Sequence, residues 1–216
     1  MWILVTFQII FYGLNEGICV EVLKAVDLGG SMYIHTFGAY FGLTATYFFE
    51  PAKAIADKEQ RGVGGYTSQY VAMIGTLFLY MFWPSFNAAL APAISQQRVV
   101  VNTAIAISSS CICACGVARI IYGKLDMEIM LNATLSGGVI IGACSDVVVT
   151  PGASIIIGGF GGIFSALGFA YLSKALQRSI GLHDTCGVHN LHGIPGVLGG
   201  CIGAVAASIA GTTLNN

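Results

Sequence analysis

Apolar residues run along the chain in seven long blocks with short polar segments between them, roughly 1–23, 28–49, 68–92, 99–118, 128–147, 151–172 and 186–210. A helix needs about 20 apolar residues to cross the hydrocarbon core of a bilayer. Each block meets that length, so the pattern predicts an all-α, polytopic transmembrane bundle of seven spans forming one domain over residues 1–216. The 128–147 block is the weakest, because Asp146 has to lie at its end. Pro51, Pro92 and Pro151 fall at block edges, where a missing backbone donor costs least. Pro84 and Pro195 fall inside blocks and predict kinks.

Composition narrows the solvent. Hydrophobic residues make up 56% of the 216 residues, charged residues 9%, and mean hydropathy is +0.80. Soluble domains carry about 25% charged residues. A net charge of −1 gives no electrostatic reason for a nucleic-acid partner. The seven cysteines include Cys111, Cys113, Cys115, Cys144 and Cys201 inside apolar blocks, which reads as buried small hydrophobes rather than a disulfide framework. Cys111–Cys115 at i, i+2, i+4 cannot set three sulfurs on one helical face, so no metal is expected there. The first block follows Met1 without a basic leader or a small-residue cleavage site, unlike a signal peptide.

Charge sets an orientation. The segments 50–67, 119–127 and 173–185 hold Lys53, Lys58, Arg61, Arg119, Lys124, Lys174 and Arg178, whereas the alternate loops hold Lys24 and Arg98. The positive-inside bias makes the first three cytoplasmic and 93–98 external. Glycines spaced four apart, at Gly38/Gly42, Gly158/Gly162, Gly196/Gly200 and Gly199/Gly203, predict close helix packing. Asn132-Ala-Thr is formally a glycosylation sequon, but it lies inside a span, where no glycan is expected.

Ionisable groups at membrane depth are costly and point to function. They are Glu16, Asp27, His35, His189 and His192, with Asp184 at a boundary. His35, Gly38 and Gly42 fall within about 60° of one helical face. His189 and His192, three apart, are expected to share a face as well. An interhelical hydrogen bond would equally satisfy such a histidine. Cys186-x-x-His189-x-x-His192 suggests a metal site, yet i, i+3, i+6 spreads over two turns, too far for one ion. Asp27 reads as a helix cap that can also hold a site, and Glu16 as a solvated end residue or a cation-attracting vestibule group. Trp83-Pro84-Ser85-Phe86-Asn87 supplies aromatic residues that serve equally for packing or gating.

Four stretches then stand together: Gly29-Gly-Ser-Met-Tyr-Ile-His-Thr-Phe-Gly-Ala-Tyr-Phe-Gly42, Gly75-Thr-Leu-Phe-Leu-Tyr-Met-Phe-Trp-Pro-Ser-Phe-Asn87, Asn132-Ala-Thr-Leu-Ser-Gly-Gly138 and His183-Asp-Thr-Cys-Gly-Val-His-Asn-Leu-His-Gly-Ile-Pro-Gly196. In this order they resemble the Rh glycoprotein branch of the ammonium-transporter family. The resemblance implies that family's fold: eleven or twelve helices in two inverted halves. The seven spans correspond to helices four to ten, so the second half is complete and the chain is incomplete at both ends. It implies a homotrimer, or a heterotrimer of family members, in the plasma membrane.

The resemblance also assigns roles. His35 and His189 are expected to be the paired pore histidines and to touch. Phe86 would be a pore gate, with His192, Trp83 and Asn87 near the pore. Asp27 would shape a recruitment site and Glu16 a vestibule. The solute would be ammonia or ammonium, with carbon dioxide as a second solute and no cofactor. Two other readings compete: a proton-coupled, electrogenic ammonium transporter and a non-conducting structural subunit. An enzyme is not expected, since no nucleophile–base pair or phosphate loop accompanies the histidines.

Overall fold

The computed structural model describes residues 2–49, 65–148 and 150–214, and every regular element among them is helical. The loop reading for 50–67 therefore lies largely outside the described residues. In chain order the α-helices are α1 (Trp2–Gly17), α2 (Phe37–Phe49), α3 (Tyr66–Ala88), α4 (Ala93–Tyr122), α5 (Met127–Gly142), α6 (Pro151–Leu167), α7 (Ser173–Ile180) and α8 (Ile194–Leu214). Four π-helical segments join or precede them: Ile18–Val22, Ser31–Thr36, Gly168–Leu172 and His189–Gly193. Among the described residues, five continuous stretches are long and apolar enough to cross a membrane: Trp2–Val22, Thr67–Ala88, Ala93–Tyr122, Pro151–Ile180 and His189–Ala210.

The boundaries have local causes. Asp126 starts α5 by accepting the Ile129 amide at 3.1 Å, and Thr150 starts α6 with Pro151 in the first position. Gly123 (φ 70°) and Gly181 (φ 68°) end α4 and α7 in the left-handed conformation. Pro84 lies inside α3, as expected. Pro195 likewise lies inside the continuous helical stretch His189–Ala210, at the junction where the π-helical segment passes into α8.

The predicted 128–147 span is shorter, ending at Gly142. Asn102 explains this. Its side-chain amide donates to the carbonyls of Ser145 (2.9 Å) and Val148 (2.7 Å), holding the chain in turns. A 16-residue helix suffices because α5 is walled by protein, with Val139, Ile140 and Ile141 fully buried.

The core is the α4–α5–α6 layer. A β-carbon on Gly158 would collide with the Ala106 backbone, and one on Gly162 with that of Ser110, so the α4 and α6 backbones meet directly. Buried hydroxyls cross-link the layer: Ser110 to the Ala133 carbonyl (2.6 Å), Ser109 to Ile155 (2.6 Å) and Ser136 to Gly161 (2.7 Å). Lipid offers no hydrophobic drive between helices, so close approach and such bonds carry the association. Gly196 and Gly199 similarly seat α8 on Ser31 and Ile140. Gly38 and Gly42 behave otherwise, since nothing lies within 4 Å of where their β-carbons would be. The packing reading fails for that pair because α2 presents this face outward. α1 buries none of its residues.

Candidate functional site

Two short units with the same construction flank the bundle. Asp27 accepts the amides of Ser31 (2.8 Å), Met32 (2.7 Å) and Tyr33 (3.2 Å). Three residues after Asp27, Gly30 turns the chain at φ 69°, and a π-helical segment follows. Asp184 accepts the amides of Val188 (2.9 Å) and His189 (2.8 Å), Gly187 turns at φ 69° three residues on, and a second π-helical segment follows. A carboxylate facing two or three amides at a helix start satisfies donors that the helix cannot. The sequence carries the repeat as Asp27-x-x-Gly30-x-x-x-x-His35 and Asp184-x-x-Gly187-x-x-x-x-His192.

That repeat decides which histidines meet. The ring of His192 lies 5.2 Å from that of His35, centroid to centroid, with the planes 14° apart. His189 instead packs edge-on against Tyr40, at 5.7 Å and 64°. The expected pairing of His35 with His189 is therefore corrected to His35 with His192. The expectation that His189 and His192 share a face assumed an α-helix. In the wider π-helix, with about 4.4 residues per turn, a three-residue step separates side chains by about 115° rather than 60°. His189 occupies the position equivalent to Met32, five residues after its aspartate.

Aromatic rings close around the pair. Trp83 lies 5.5 Å from His35 (16° between planes) and 6.5 Å from His192 (12°), while Phe86 lies 5.8 Å from His35 and 6.1 Å from Trp83. His35 Nε2 and His192 Nδ1 are buried and have no hydrogen-bond partner in the protein, and Trp83 Nε1, also unpartnered, lies on the edge that faces Gly138. Buried polar atoms are normally satisfied, so a cluster of unpaired ring nitrogens marks a place where a small polar solute can bind. Trp83 packs against Gly138 of α5, where any side chain would displace the indole.

The other predicted residues divide. Asn87 follows Phe86 directly and bonds to Gly138, the glycine that Trp83 packs on. It is fully buried and donates to the Thr103 hydroxyl (3.2 Å) and the Gly138 carbonyl (3.1 Å), clamping α3 to α4 and α5. Asp27 caps its segment as described and is buried. Glu16 lies beside Tyr12, and its neighbour Asn15 donates to the Tyr33 carbonyl at 2.7 Å. Cys111 and Cys115 stand one turn apart on α4. Among the described residues no group of three His, Cys, Asp or Glu side chains is placed to hold a metal ion. The sequence places Asp184 at a boundary, and the Asp–Gly–His repeat is the signal that identifies its role.

Comparison with known proteins places these features in a family. The Ammonium Transporter Family model matches residues 1–214. The chain is 46% identical over 209 residues to ammonium transporter Rh type C of Rattus norvegicus, covering 95% of this chain and 42% of that protein. It is 44% identical over 211 residues to the Homo sapiens protein of that name, covering 96% and 44%. The chain thus spans less than half the length of these relatives. Among solved structures it is similar to Nitrosomonas europaea Rh50, reported with a mechanism of conduction by the Rhesus protein family of channels. That match has a TM-score of 0.84 and 35% identity, over 94% of this chain and 56% of the other. A sensor Amt protein shares the fold at a TM-score of 0.70 and 24% identity, over 83% and 44%. With five apolar helices of spanning length, the chain is a multi-pass integral membrane protein, and it belongs to the Ammonium Transporter Family.

Proposed function

We propose that this protein carries ammonia across a membrane through a narrow apolar path, with His35 and His192 as its polar station and Phe86 beside them as a gate. The observation that carries the reading is the stack of His35 on His192, boxed by Trp83 and Phe86, with unpaired ring nitrogens in apolar surroundings.

The physics favours a neutral solute. Moving an intact ammonium ion into such a space would cost many kcal/mol of lost hydration. Release of its proton at the mouth removes the charge, and ammonia then needs few hydrogen bonds. A neutral imidazole offers one donor and one acceptor, matched to ammonia's three donors and one lone pair. Asp27 and Asp184 act indirectly by fixing the backbone that sets both rings. Family membership supports ammonium as the solute, and the reading adds a trimeric assembly in the plasma membrane. The basic residues of 119–127 and 173–185 support a cytoplasmic location for those loops.

The test is reconstitution in lipid vesicles. An imposed ammonium gradient should alkalinise the lumen without electrical current. Current in proportion to flux would replace this reading with electrogenic, proton-coupled transport. Absence of flux would return the chain to a structural subunit. Carbon dioxide flux, measured separately, tests the second solute.

A further inference from the structure

We infer that His189 and Tyr40 form a second solute site, just beyond the His35–His192 pair, that binds ammonia through one acceptor and one donor. The inference rests on the transport reading above and extends it to a residue that the ring pair does not use.

Three observations converge on Gly193, the residue after His192. A β-carbon there would lie 3.3 Å from His189 Nδ1 and 3.3 Å from the Tyr40 hydroxyl oxygen, so both polar atoms face the bare side of this glycine. His189 Nδ1 is buried and has no hydrogen-bond partner in the protein. The same two side chains line a cavity of about 470 Å³, whose other walls include Leu43, Leu176 and Ile180. An apolar groove with two convergent polar atoms has the character of a small-molecule site. It adjoins α7, on the side that the basic residues make cytoplasmic.

The chemistry selects the occupant. With its proton on Nε2, His189 presents Nδ1 as an acceptor, and the Tyr40 hydroxyl can donate. Ammonia donates to the first and accepts from the second. Carbon dioxide has no hydrogen to donate, so it leaves Nδ1 unsatisfied. The site therefore gives the inner end of the path a preference that an apolar pore alone lacks.

The experiment uses the full chain, labelled with ¹⁵N in its histidine rings, in phosphatidylcholine vesicles. Ammonium chloride is titrated at alkaline pH, with sodium chloride and carbon dioxide as controls, and the His189 resonance is assigned by its loss in His189→Leu. Ammonium chloride alone should move the Nδ1 signal. Tyr40→Phe, which keeps the ring contact, should weaken that response and lower flux by about two- to tenfold, the size of one net hydrogen bond. Gly193→Ala, with a methyl close to both atoms, should lower both readouts as well. Flux with an unmoved His189 signal overturns this site and leaves the transport reading standing. A moved signal without flux keeps the site and removes the transport reading. Neither response overturns both.

Discussion

His35 and His192 are 157 positions apart in sequence, yet their rings lie 5.2 Å apart with planes within 14° of parallel. Each stands eight residues after a buried or half-buried aspartate that fixes the start of its helix. Four of the seven apolar blocks lie between theirs, an even number, so the two spans traverse the membrane in opposite senses. The histidines are thus the equivalent residues of two inverted units brought face to face.

This pairing makes an energetic prediction. His35→Ala and His192→Ala should each lower ammonia flux by about tenfold, equivalent to ~1.4 kcal/mol. The double variant should lose no more than either alone, because contacting residues are coupled. His189→Ala should combine additively with His35→Ala. Stopped-flow flux from vesicles measures all five proteins, and coupling to His189 instead of His192 would contradict the arrangement.

Phe86 is 45% exposed and lies 5.8 Å from His35, at the edge of the ring cluster rather than in the core. Phe86→Ala should change passage severalfold, raising methylammonium uptake relative to ammonium, while assembly stays unchanged. Size-exclusion chromatography in detergent checks the second half. Loss of assembly without a separate effect on transport would make Phe86 a packing residue.

Asp27 accepts three amides from a buried position. Asp27→Ala should therefore cost about 2–3 kcal/mol, the range for a charged cap with several bonds. Asp27→Asn retains one acceptor oxygen and should lose less. Thermal unfolding in detergent reports both. If Asp27→Ala unfolds like the parent chain, the carboxylate serves the solute rather than the fold.

Glycines with the same spacing should respond differently. Gly158→Ala and Gly162→Ala force the α4 and α6 backbones apart and should destabilise by about 1–3 kcal/mol, as overpacking does. Gly38→Ala meets no neighbour within 4 Å and should leave the unfolding midpoint unchanged or raise it. Equal effects at Gly38 and Gly158 would contradict the packing described here.

Orientation is tested at Gln97, exposed in the first turns of α4. The basic bias predicts that 93–98 is external. Gln97→Cys, in a background without reactive exposed thiols, should react with an impermeant maleimide applied to intact cells. Reaction only after permeabilisation would invert the topology.

The sequence alone determined the class and the outline of this protein. Seven apolar blocks of about 20 residues read as helices, because lipid leaves only helices and closed barrels to satisfy a spanning backbone and barrel strands are about half that length. Among the described residues each block contains a helix, five of them long and apolar enough to span, and the four motifs in order carried the family. Glycine spacing likewise marked Gly158/Gly162 as a close-packing face, without its partner. What required the tertiary structure was phase. The π-helical segments rotate side chains by an amount that the α-helical period does not contain, and this moved the histidine contact from His189 to His192. Partnership was equally invisible. Gly38/Gly42 and Gly158/Gly162 have the same spacing, but only the second pair meets another backbone. Asn87 reads in the sequence as a residue near the pore and Asn102 carries no signal there, and neighbouring carbonyls make both of them clamps. Periodicity in one chain fixes which residues share a face. Which face finds a partner depends on all the other helices, and is settled only when they pack.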